Sequence, residues 1–598
     1  METVSSGTKE VEDRFPQLSF LLQLLNDEPW TFCEDRKNGV QKGEFLHRPC
    51  DLKEEITSVF SKVNLEKVEA LYLYGAGLGH YAFPLLSWLK EDPKRDLIFL
   101  EDDIEVMRLF FESKEASRLL SHTQIHFRFL LEKKEWKAFL EERANEFPYE
   151  HIELIALESY KKKNPKRVSK MRLHLMRRTT VHHAIHIDES YHHVLSRNVF
   201  ANFPRASSGF YANLLRDTFN GTPAIICGAG PSLSSEMETL KTLEDQALIF
   251  AGGSAIAGLS HKGILPHLGV AIDPNFEEYH RFKSSSAFEV PLLYTNRLHP
   301  RVFETCNGPH GYIRAMTGGP VEKWWEEELG IKPLSLSEGF DLEALSVTTT
   351  CLELAVMMGC NPIILAGVDL AFTGEKTYAA GIVNQAEVCF KQRDRDMRVS
   401  ERLLKRKDRN GNPVYTLVKW VMESEAISRF AKKNKKTTFL SSTSGGIGFP
   451  GIPYRSLAEL SFPAPFDLRG KVHQLIEKSR FSFGSNDCLK RLEGSFQKGK
   501  ALAEEALCEL KRIRELKGDP ENGRMVLYQM ELEELEAYSC SLAEVALSFE
   551  KTFNRSNRLS TWNASSSEKN SLKWKWLHSK WNGFNDLITY YLDSCFTK

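Results

Sequence analysis

The stretch that decides the fold is 224-AIICGAGPSL-233, a short apolar run that leads directly into a glycine-containing turn. The run predicts a buried strand, the glycines predict a tight loop, and the proline and serine suit the start of a helix. Unpaired backbone N–H groups and the helix dipole at such a loop favour an anion. The candidate binding residues of this loop are Gly228, Ala229, Gly230, Pro231 and Ser232.

Two further strand ends carry small or acidic residues. The run 247-ALIFAG-252 leads into Gly253 and Ser254, and the run 268-LGVAID-273 ends at Asp273. Because the carboxyl ends of parallel strands meet at one edge of a sheet, these residues predict a ligand crevice. The alternative is that the glycines serve only the turns and that Asp273 serves only as a cap.

Strand-like and helical stretches alternate around this loop. Further apolar runs at 292–294, 363–367 and 438–442 predict a doubly wound, mostly parallel α/β domain over residues 215–465. Long amphipathic stretches follow, and they predict a helical domain over 466–598.

A second glycine turn lies near the N-terminus. Gly75, Gly77 and Gly79 follow a strand-like run, and Glu101 ends the next run. This pattern predicts a Rossmann-like domain over 46–160, in which the acid could bind a ribose diol. We interpret the turn as mainly architectural, and an occupied dinucleotide or S-adenosylmethionine site is the alternative.

The remaining N-terminal segments carry no site motif. Residues 1–45 are polar and predict an N-terminal arm. Residues 161–214 predict a basic helical linker, because its first part, 161–178, contains nine Lys or Arg and no acid. A solvated helix is the main interpretation of that charge, and contact with phosphates or an acidic partner is the alternative.

Composition narrows the classes of function. The 598 residues include 79 Lys or Arg and 80 Asp or Glu, so the chain has no net positive charge that would attract nucleic acid. No signal peptide and no apolar run of about 18 residues is evident, which predicts a cytoplasmic protein without a membrane span. The 11 cysteines are scattered without a CxxC pair, and no metal site is predicted.

A second constellation lies between 346 and 381. Thr349 and Thr350 stand at the predicted start of a helix, and the next strand places Asp369 at the edge of the crevice. Tyr378 follows, and a charged segment over 391–409 resembles a lid that ends in the hairpin signal Asn410-Gly411.

Four motifs together resemble the motility-associated-factor (Maf) family of bacterial proteins. They are the loop GAGPSL, the strand ending in Asp273-Pro274, 348-TTTCLELAVMMGCNPIILAGVDL-370 and 442-STSGGIGFPGI-452. The family's core is shared with proteins similar to archaeal 6-hydroxymethylpterin diphosphokinase (MptE-like) and is similar to bacterial sialyltransferases. The resemblance is strongest over residues 220–460. It implies transfer of a nonulosonic, sialic-type sugar from its CMP-activated form to a hydroxyl of flagellin.

The resemblance also implies roles for individual residues. Gly228, Ala229, Gly230 and Ser232 would cradle the nucleotide phosphate, Gly253 and Ser254 would lie near the sugar or base, and Thr349 and Thr350 would hold the sugar carboxylate. Ala229 replaces an asparagine that is common in the sialyltransferase loop. The chain also lacks the lid histidine that serves those enzymes as base, because none lies between His310 and His473. The candidate catalytic residues are therefore Asp369, Tyr378 and His299, with His280 as a further base candidate.

Three functions stay open from the sequence. The first is a metal-independent glycosyltransferase that uses a CMP-sugar donor, a protein or glycan acceptor and no further cofactor. The second is a pterin diphosphokinase, which needs Mg²⁺ and acids at strand ends, a requirement that Asp273-Pro274-Asn275 meets poorly. The third is a nucleotide-binding or partner-docking protein that kept the fold and lost its base.

Overall fold

The computed structural model describes residues 31–33, 38–41, 44–47, 52–61, 63–120, 122–130, 133–146, 149–314, 319–332, 334, 336, 340, 346–379, 382, 398–481, 486–562 and 565–596. Two compact units divide the chain. The first is drawn from residues 1–186, 393–402 and 550–571, and the second from 187–392, 403–549 and 572–598. No described helix combines the length and the apolarity needed to cross a bilayer.

The first unit contains a four-stranded parallel sheet in the order β6-β5-β4-β7 and a small antiparallel sheet in the order β1-β2-β3. The strands are β1 (Thr31–Phe32), β2 (Gly39–Gln41), β3 (Glu44–Phe45), β4 (Ala70–Tyr74), β5 (Asp96–Glu101), β6 (Ile125–Phe129) and β7 (Ile152–Ala156). The helices are Leu52–Phe60, Leu86–Glu91, Ile104–Glu112, Lys114–Leu120, Lys133–Glu146 and Glu158–Lys163, together with the 3-10 helix His80–Leu85. The larger sheet has the predicted strand, turn, helix and strand order.

Two long helices follow the first sheet. They are Pro165–Ser190 and His192–Ala206. Lys161, Lys162, Lys163, Lys166 and Lys170 are all exposed to solvent. The basic segment is thus helical, with its lysines exposed to solvent.

The second unit contains an eight-stranded sheet in which every pairing is parallel, with the order β17-β14-β9-β10-β11-β12-β13-β8. The strands of this sheet are β8 (Phe210–Tyr211), β9 (Ala224–Cys227), β10 (Leu248–Gly252), β11 (Leu268–Ala271), β12 (Leu292–Tyr294), β13 (His310–Tyr312), β14 (Ile363–Ala366) and β17 (Phe439–Ser441). A separate two-stranded sheet consists of β15 (Leu403–Lys407) and β16 (Pro413–Leu417). From β9 the chain runs outward to β13 and then returns to β14 on the other side of β9. The sequence analysis missed β8 and β13, which are two and three residues long.

Alternating side chains of the large sheet enter two different cores. Ile225 and Cys227 belong to one buried cluster, whereas Ala224 and Ile226 belong to the other. Strands that are buried on both faces read as continuous apolar runs, which is why they were recognisable in the sequence. The predicted mixed α/β class is confirmed.

Helices cover both faces of this sheet. Those between the strands are Leu233–Thr242, Ser254–Ser260, Phe276–Phe282, Pro320–Leu329, Val347–Met357 and Val418–Lys433. The C-terminal helices are Leu468–Lys478, Asn486–Glu515, Gly523–Glu533, Ala543–Trp562 and Ser566–Tyr591. Phe496, Trp581 and Tyr591 from the C-terminal helices lie in the same buried cluster as Ile225 of β9. The helices Asn486–Glu515 and Ser566–Tyr591 therefore share a core with one face of the sheet, whereas Leu468–Lys478 contributes to the other cluster. The exact domain boundaries stay predictions.

Candidate functional site

The loop after β9 packs against the loop after β14. Gly228 and Gly230 donate backbone hydrogen bonds of 2.8 Å to the carbonyls of Ala366 and Gly367. A Cβ at Gly230 would lie 2.7 Å from the Gly367 carbonyl and would also meet the carboxylate of Asp369. The glycines are thus required by the close approach of two backbone segments.

Ser232 and Asp369 join these two loops. The Ser232 hydroxyl donates a hydrogen bond to Asp369, and the Ser232 N–H lies 3.4 Å from both carboxylate oxygens. Ser232 makes no side-chain cap to its helix, which corrects the expectation from the sequence, and Asp369 is buried, with 2% exposure. Burial raises the pKa of Asp369, and its hydrogen bonds with Ser232 oppose that rise. The start of the helix Leu233–Thr242 therefore already faces a carboxyl group from the chain itself.

Ala229 brings Tyr378 to this loop. The Ala229 carbonyl accepts a hydrogen bond of 2.9 Å from the N–H of Ala379, the residue after Tyr378. The Ala229 N–H has no hydrogen-bond partner among the described residues. Tyr378, a base candidate from the sequence, thus precedes a residue that is bonded to Ala229, and its catalytic role stays a prediction.

The loop after β10 approaches a buried carboxylate. Gly253 has a positive φ of 47°, and a Cβ there would lie 3.6 Å from both carboxylate oxygens of Glu278. Ser254 begins the helix that follows and is half-buried. Gly253 and Ser254 are thus placed at the strand edge, as predicted.

Asp273 belongs to a charged group after β11. It accepts hydrogen bonds from the N–H of Asn275 at 3.0 Å and from the Asn275 side chain at 2.7 Å. The Arg281 guanidinium donates one Nη1 to Asp273 at 3.2 Å and to Glu278 at 2.7 Å. Asp273 thus caps its own loop and also helps to orient an arginine.

Glu278 and Arg281 are site residues that the sequence analysis missed. Glu278 is buried, and its Oε1 has no hydrogen-bond partner among the described residues. Burial raises the pKa of Glu278 to about 7, and the hydrogen bond from Arg281 opposes the rise. Arg281 is one-third exposed and lies within electrostatic reach of Tyr378. The segment 276-FEEYHRF-282 gave no signal, because charged residues three apart are common on exposed helices.

These contacts define a contiguous group at the carboxyl ends of β9, β10 and β11. We call it the central site, and its members are Ala229, Gly253, Glu278, Arg281 and Tyr378.

Thr349 and Thr350 already bond within their own helix start. Thr349 Oγ1 accepts a hydrogen bond from the Ser346 N–H at 2.9 Å, and Thr350 donates one to the Ser346 carbonyl at 3.0 Å. Both threonines are buried. Their assignment to a sugar carboxylate stays a prediction, and a ligand would have to share these hydroxyls with the helix start.

His299 stands at the rim of this edge. Its Nδ1 accepts a hydrogen bond of 3.3 Å from the N–H of Arg301, and its ring lies 5.3 Å from that of Phe276. Partial burial, Arg197 and Arg301 lower the pKa of His299. The imidazole is therefore neutral near pH 7, and the hydrogen bond to Nδ1 assigns its proton to Nε2. The ring of His280 lies 4.7 Å from Phe276 on the same rim.

Part of the predicted lid lies outside the described residues, namely 391–397. In the described remainder, β15 and β16 form an antiparallel hairpin, and Gly411 has a φ of 89°, as the Asn410-Gly411 signal predicts. The role of the segment as a lid stays a prediction. The described residues contain no group of three or more His, Cys, Asp or Glu side chains that could hold a metal ion.

The N-terminal glycine turn differs from the central site. A Cβ at Gly77 would lie 2.6 Å from the His47 ring, and one at Gly75 would lie 3.0 Å from Leu157 and Tyr160. Glu101 accepts hydrogen bonds from the Tyr160 hydroxyl at 2.6 Å and from three backbone N–H groups at 2.7–2.9 Å. The acid that could have bound a ribose is thus satisfied by the chain itself.

Comparison with known proteins agrees with the fold. Residues 197–375 match the protein family described as 6-hydroxymethylpterin diphosphokinase MptE-like. Among solved structures, the chain is similar to the MAf glycosyltransferase from Magnetospirillum magneticum AMB-1, with a TM-score of 0.51 and 15% identity, over 100% of this chain and 97% of that chain. No curated protein matches the sequence. The predicted Maf-like, MptE-like resemblance is confirmed.

Proposed function

We propose that the chain is a glycosyltransferase that uses a nucleotide-activated sugar, with the donor bound at the central site. The observation that carries this proposal is the fold, which is similar over the whole chain to that of a protein described as a glycosyltransferase. Open parallel sheets bind ligands beyond the carboxyl ends of their strands, where the central site lies. In finer detail, we propose a CMP-activated nonulosonic sugar as donor and a protein or glycan hydroxyl as acceptor.

The proposed reaction is a direct displacement. The acceptor oxygen forms a bond to the anomeric carbon, the bond from that carbon to the phosphate oxygen breaks, and CMP leaves. In this proposal Tyr378 acts as its phenolate, takes the acceptor proton and becomes neutral, and His299 donates a hydrogen bond through Nε2–H. Asp369 is a positioning residue, because its carboxylate is buried against Ser232. The phosphate charge would be stabilised by the Ala229 N–H and neighbouring donors rather than by a metal ion.

Two alternatives rest on separate observations. The family description favours a diphosphokinase that transfers pyrophosphate from ATP to 6-hydroxymethylpterin. Asp369, Thr349 and Thr350 form hydrogen bonds to other residues of the chain. Because these groups are then not free for a reaction, the second alternative is a protein that binds a nucleotide without transfer.

One experiment separates the three functions. The protein is purified without added ligand, and the nucleotide released on denaturation is identified by mass spectrometry. It is then incubated with CMP-N-acetylneuraminic acid, or with ATP and 6-hydroxymethylpterin, with and without chelator. Release of CMP that is insensitive to chelator supports the glycosyltransferase. Formation of AMP with magnesium would replace it with the diphosphokinase, and nucleotide binding without either product would leave a binding protein.

A further inference from the structure

We infer that Arg281 and Glu278 form an anion-recognition pair at the central site, in which Arg281 binds the phosphate or the carboxylate of the ligand. This inference deepens the proposed function and rests on it for the identity of the ligand. It assigns to the helix Phe276–Phe282 a role that neither the sequence motifs nor the glycine loop provides.

The first step concerns the source of positive charge. The expected anion site at Gly228–Ser232 already faces Asp369, whose carboxylate is hydrogen-bonded to Ser232. The Ser232 hydroxyl and N–H are therefore already used by the chain and do not serve a ligand anion. A ligand phosphate at this edge therefore needs a cation from elsewhere, and Arg281 brings one.

The second step concerns the orientation of Arg281. A single nitrogen, Nη1, bonds to both Glu278 and Asp273. Its Nε and Nη2 have no hydrogen-bond partner within the part of the chain that the structure describes. Two acids thus fix the plane of the guanidinium while leaving donors for a bidentate contact, which is the geometry that arginine uses with phosphates and carboxylates.

The third step concerns Glu278. Its side chain is 1% exposed, and Oε1 is buried without a described partner. A buried carboxylate oxygen without a hydrogen-bond partner lowers the stability of the fold. A ligand hydroxyl or amine that donates a hydrogen bond to it would remove part of this free-energy penalty. Gly253 lies next to this carboxylate and has no side chain that would block a ligand from reaching it. The pair thus offers donors for an anion and, beside them, an acceptor.

The test measures binding by calorimetry for the wild type and for Arg281→Gln, Arg281→Lys and Glu278→Gln. The probes are CMP, CMP-N-acetylneuraminic acid, N-acetylneuraminic acid and inorganic phosphate. Arg480→Gln is the matched control, because Arg480 pairs with Glu477 three residues before it, in the same unit and outside the central site. Circular dichroism and a thermal melt establish that each variant folds.

We expect Arg281→Gln to weaken the binding of the anionic probe by about 10- to 100-fold, Arg281→Lys to weaken it less, and Arg480→Gln to leave it unchanged. Loss of CMP affinity identifies the phosphate as the anion. Loss confined to the sugar acid and its CMP conjugate identifies the carboxylate. We expect Glu278→Gln to weaken binding of the same probe severalfold.

Failure of this inference differs from failure of the proposed function. If CMP binds the wild type and Arg281→Gln equally, and the sugar acids do as well, the inference is wrong and the proposed function stands. If no nucleotide binds but phosphate or the sugar acid binds in an Arg281-dependent way, the inference stands and the function is wrong. If no probe binds the wild type, both are wrong.

Discussion

The first unit and the second unit each place a glycine turn at the carboxyl edge of a parallel sheet, and the two turns have different surroundings. In the first unit, His47 and Tyr160 fill the space around the turn, and four donors satisfy Glu101. In the second unit, the chain leaves Glu278 Oε1 without a described partner and holds Arg281 by one nitrogen. A glycine turn alone therefore does not define a ligand site; what decides is whether the chain's own side chains satisfy the polar groups around it.

The largest expected effect is on the reaction at the central site. Replacing Tyr378 by Phe should lower the rate of sugar transfer by about 10²- to 10⁴-fold, because loss of a general base typically lowers the rate by this factor. CMP affinity should change by less than about twofold, since Tyr378 is not assigned to the anion. Initial rates of CMP release and a CMP titration measure the two quantities. His299→Ala should also lower transfer without weakening CMP binding, and equal transfer by both variants and the wild type would remove these residues from the mechanism.

A matched pair of glycine substitutions sharpens the comparison. Gly230→Val should destabilise the second unit by about 3 kcal/mol or more, because the new side chain meets Gly367 and Asp369. Gly77→Val should cost a similar amount in the first unit, where φ is 52° and the His47 ring occupies the space. Urea unfolding measures both losses. Nucleotide binding at a temperature where both variants fold should be lost only in Gly230→Val, and equal binding by that variant and the wild type would contradict the site.

The pKa of Glu278 predicts a dependence of stability on pH. Its ordinary value is 4.5, and burial raises it to about 7 despite Arg281, whereas Asp273 adds to the rise. A carboxyl group with a raised pKa favours folding while it is protonated, so its contribution is lost as the pH rises from about 4.5 through about 7. Relative to Glu278→Gln, the wild type should therefore lose about 3 kcal/mol over this range. Urea unfolding of both proteins at several pH values measures this difference, and parallel curves would show that folding does not raise the pKa of Glu278.

The smallest expected effect comes from the corresponding arginine of the first unit. Arg108 lies three residues after Glu105, as Arg281 does after Glu278, and it bonds to both Glu105 and Glu112. Arg108→Gln should leave CMP affinity unchanged within about twofold, because its donors are bonded to the chain. A loss as large as that of Arg281→Gln in the same titration would place the nucleotide in the first unit.

Much of the fold was predictable, because strands buried on both faces appear as apolar runs. The runs that begin at Ala224, Leu248, Leu268 and Ile363 all became parallel strands. The strand His310–Tyr312 was missed, because three residues with a central glycine carry no pattern.

The candidate site was predictable only in part. The sequence located Gly228, Gly253, Asp273 and Asp369 at strand ends, because each follows an apolar run. It could not show that Asp369 turns inward to Ser232, since that contact joins residues 137 apart. Glu278 could not be identified from the sequence for the same reason. Its burial comes from elements that are distant in the chain, and its neighbours in the sequence do not indicate it.

Hydrogen exchange with CMP tests most directly whether the central site, and not the N-terminal turn, binds the nucleotide. Exchange of backbone amides is followed by mass spectrometry for the full chain with and without saturating CMP. We predict slower exchange in peptides that cover residues 228–232, 252–254 and 276–282, and no change in peptides that cover 75–79 and 101–105. Slower exchange confined to 75–79 and 101–105 would contradict the account.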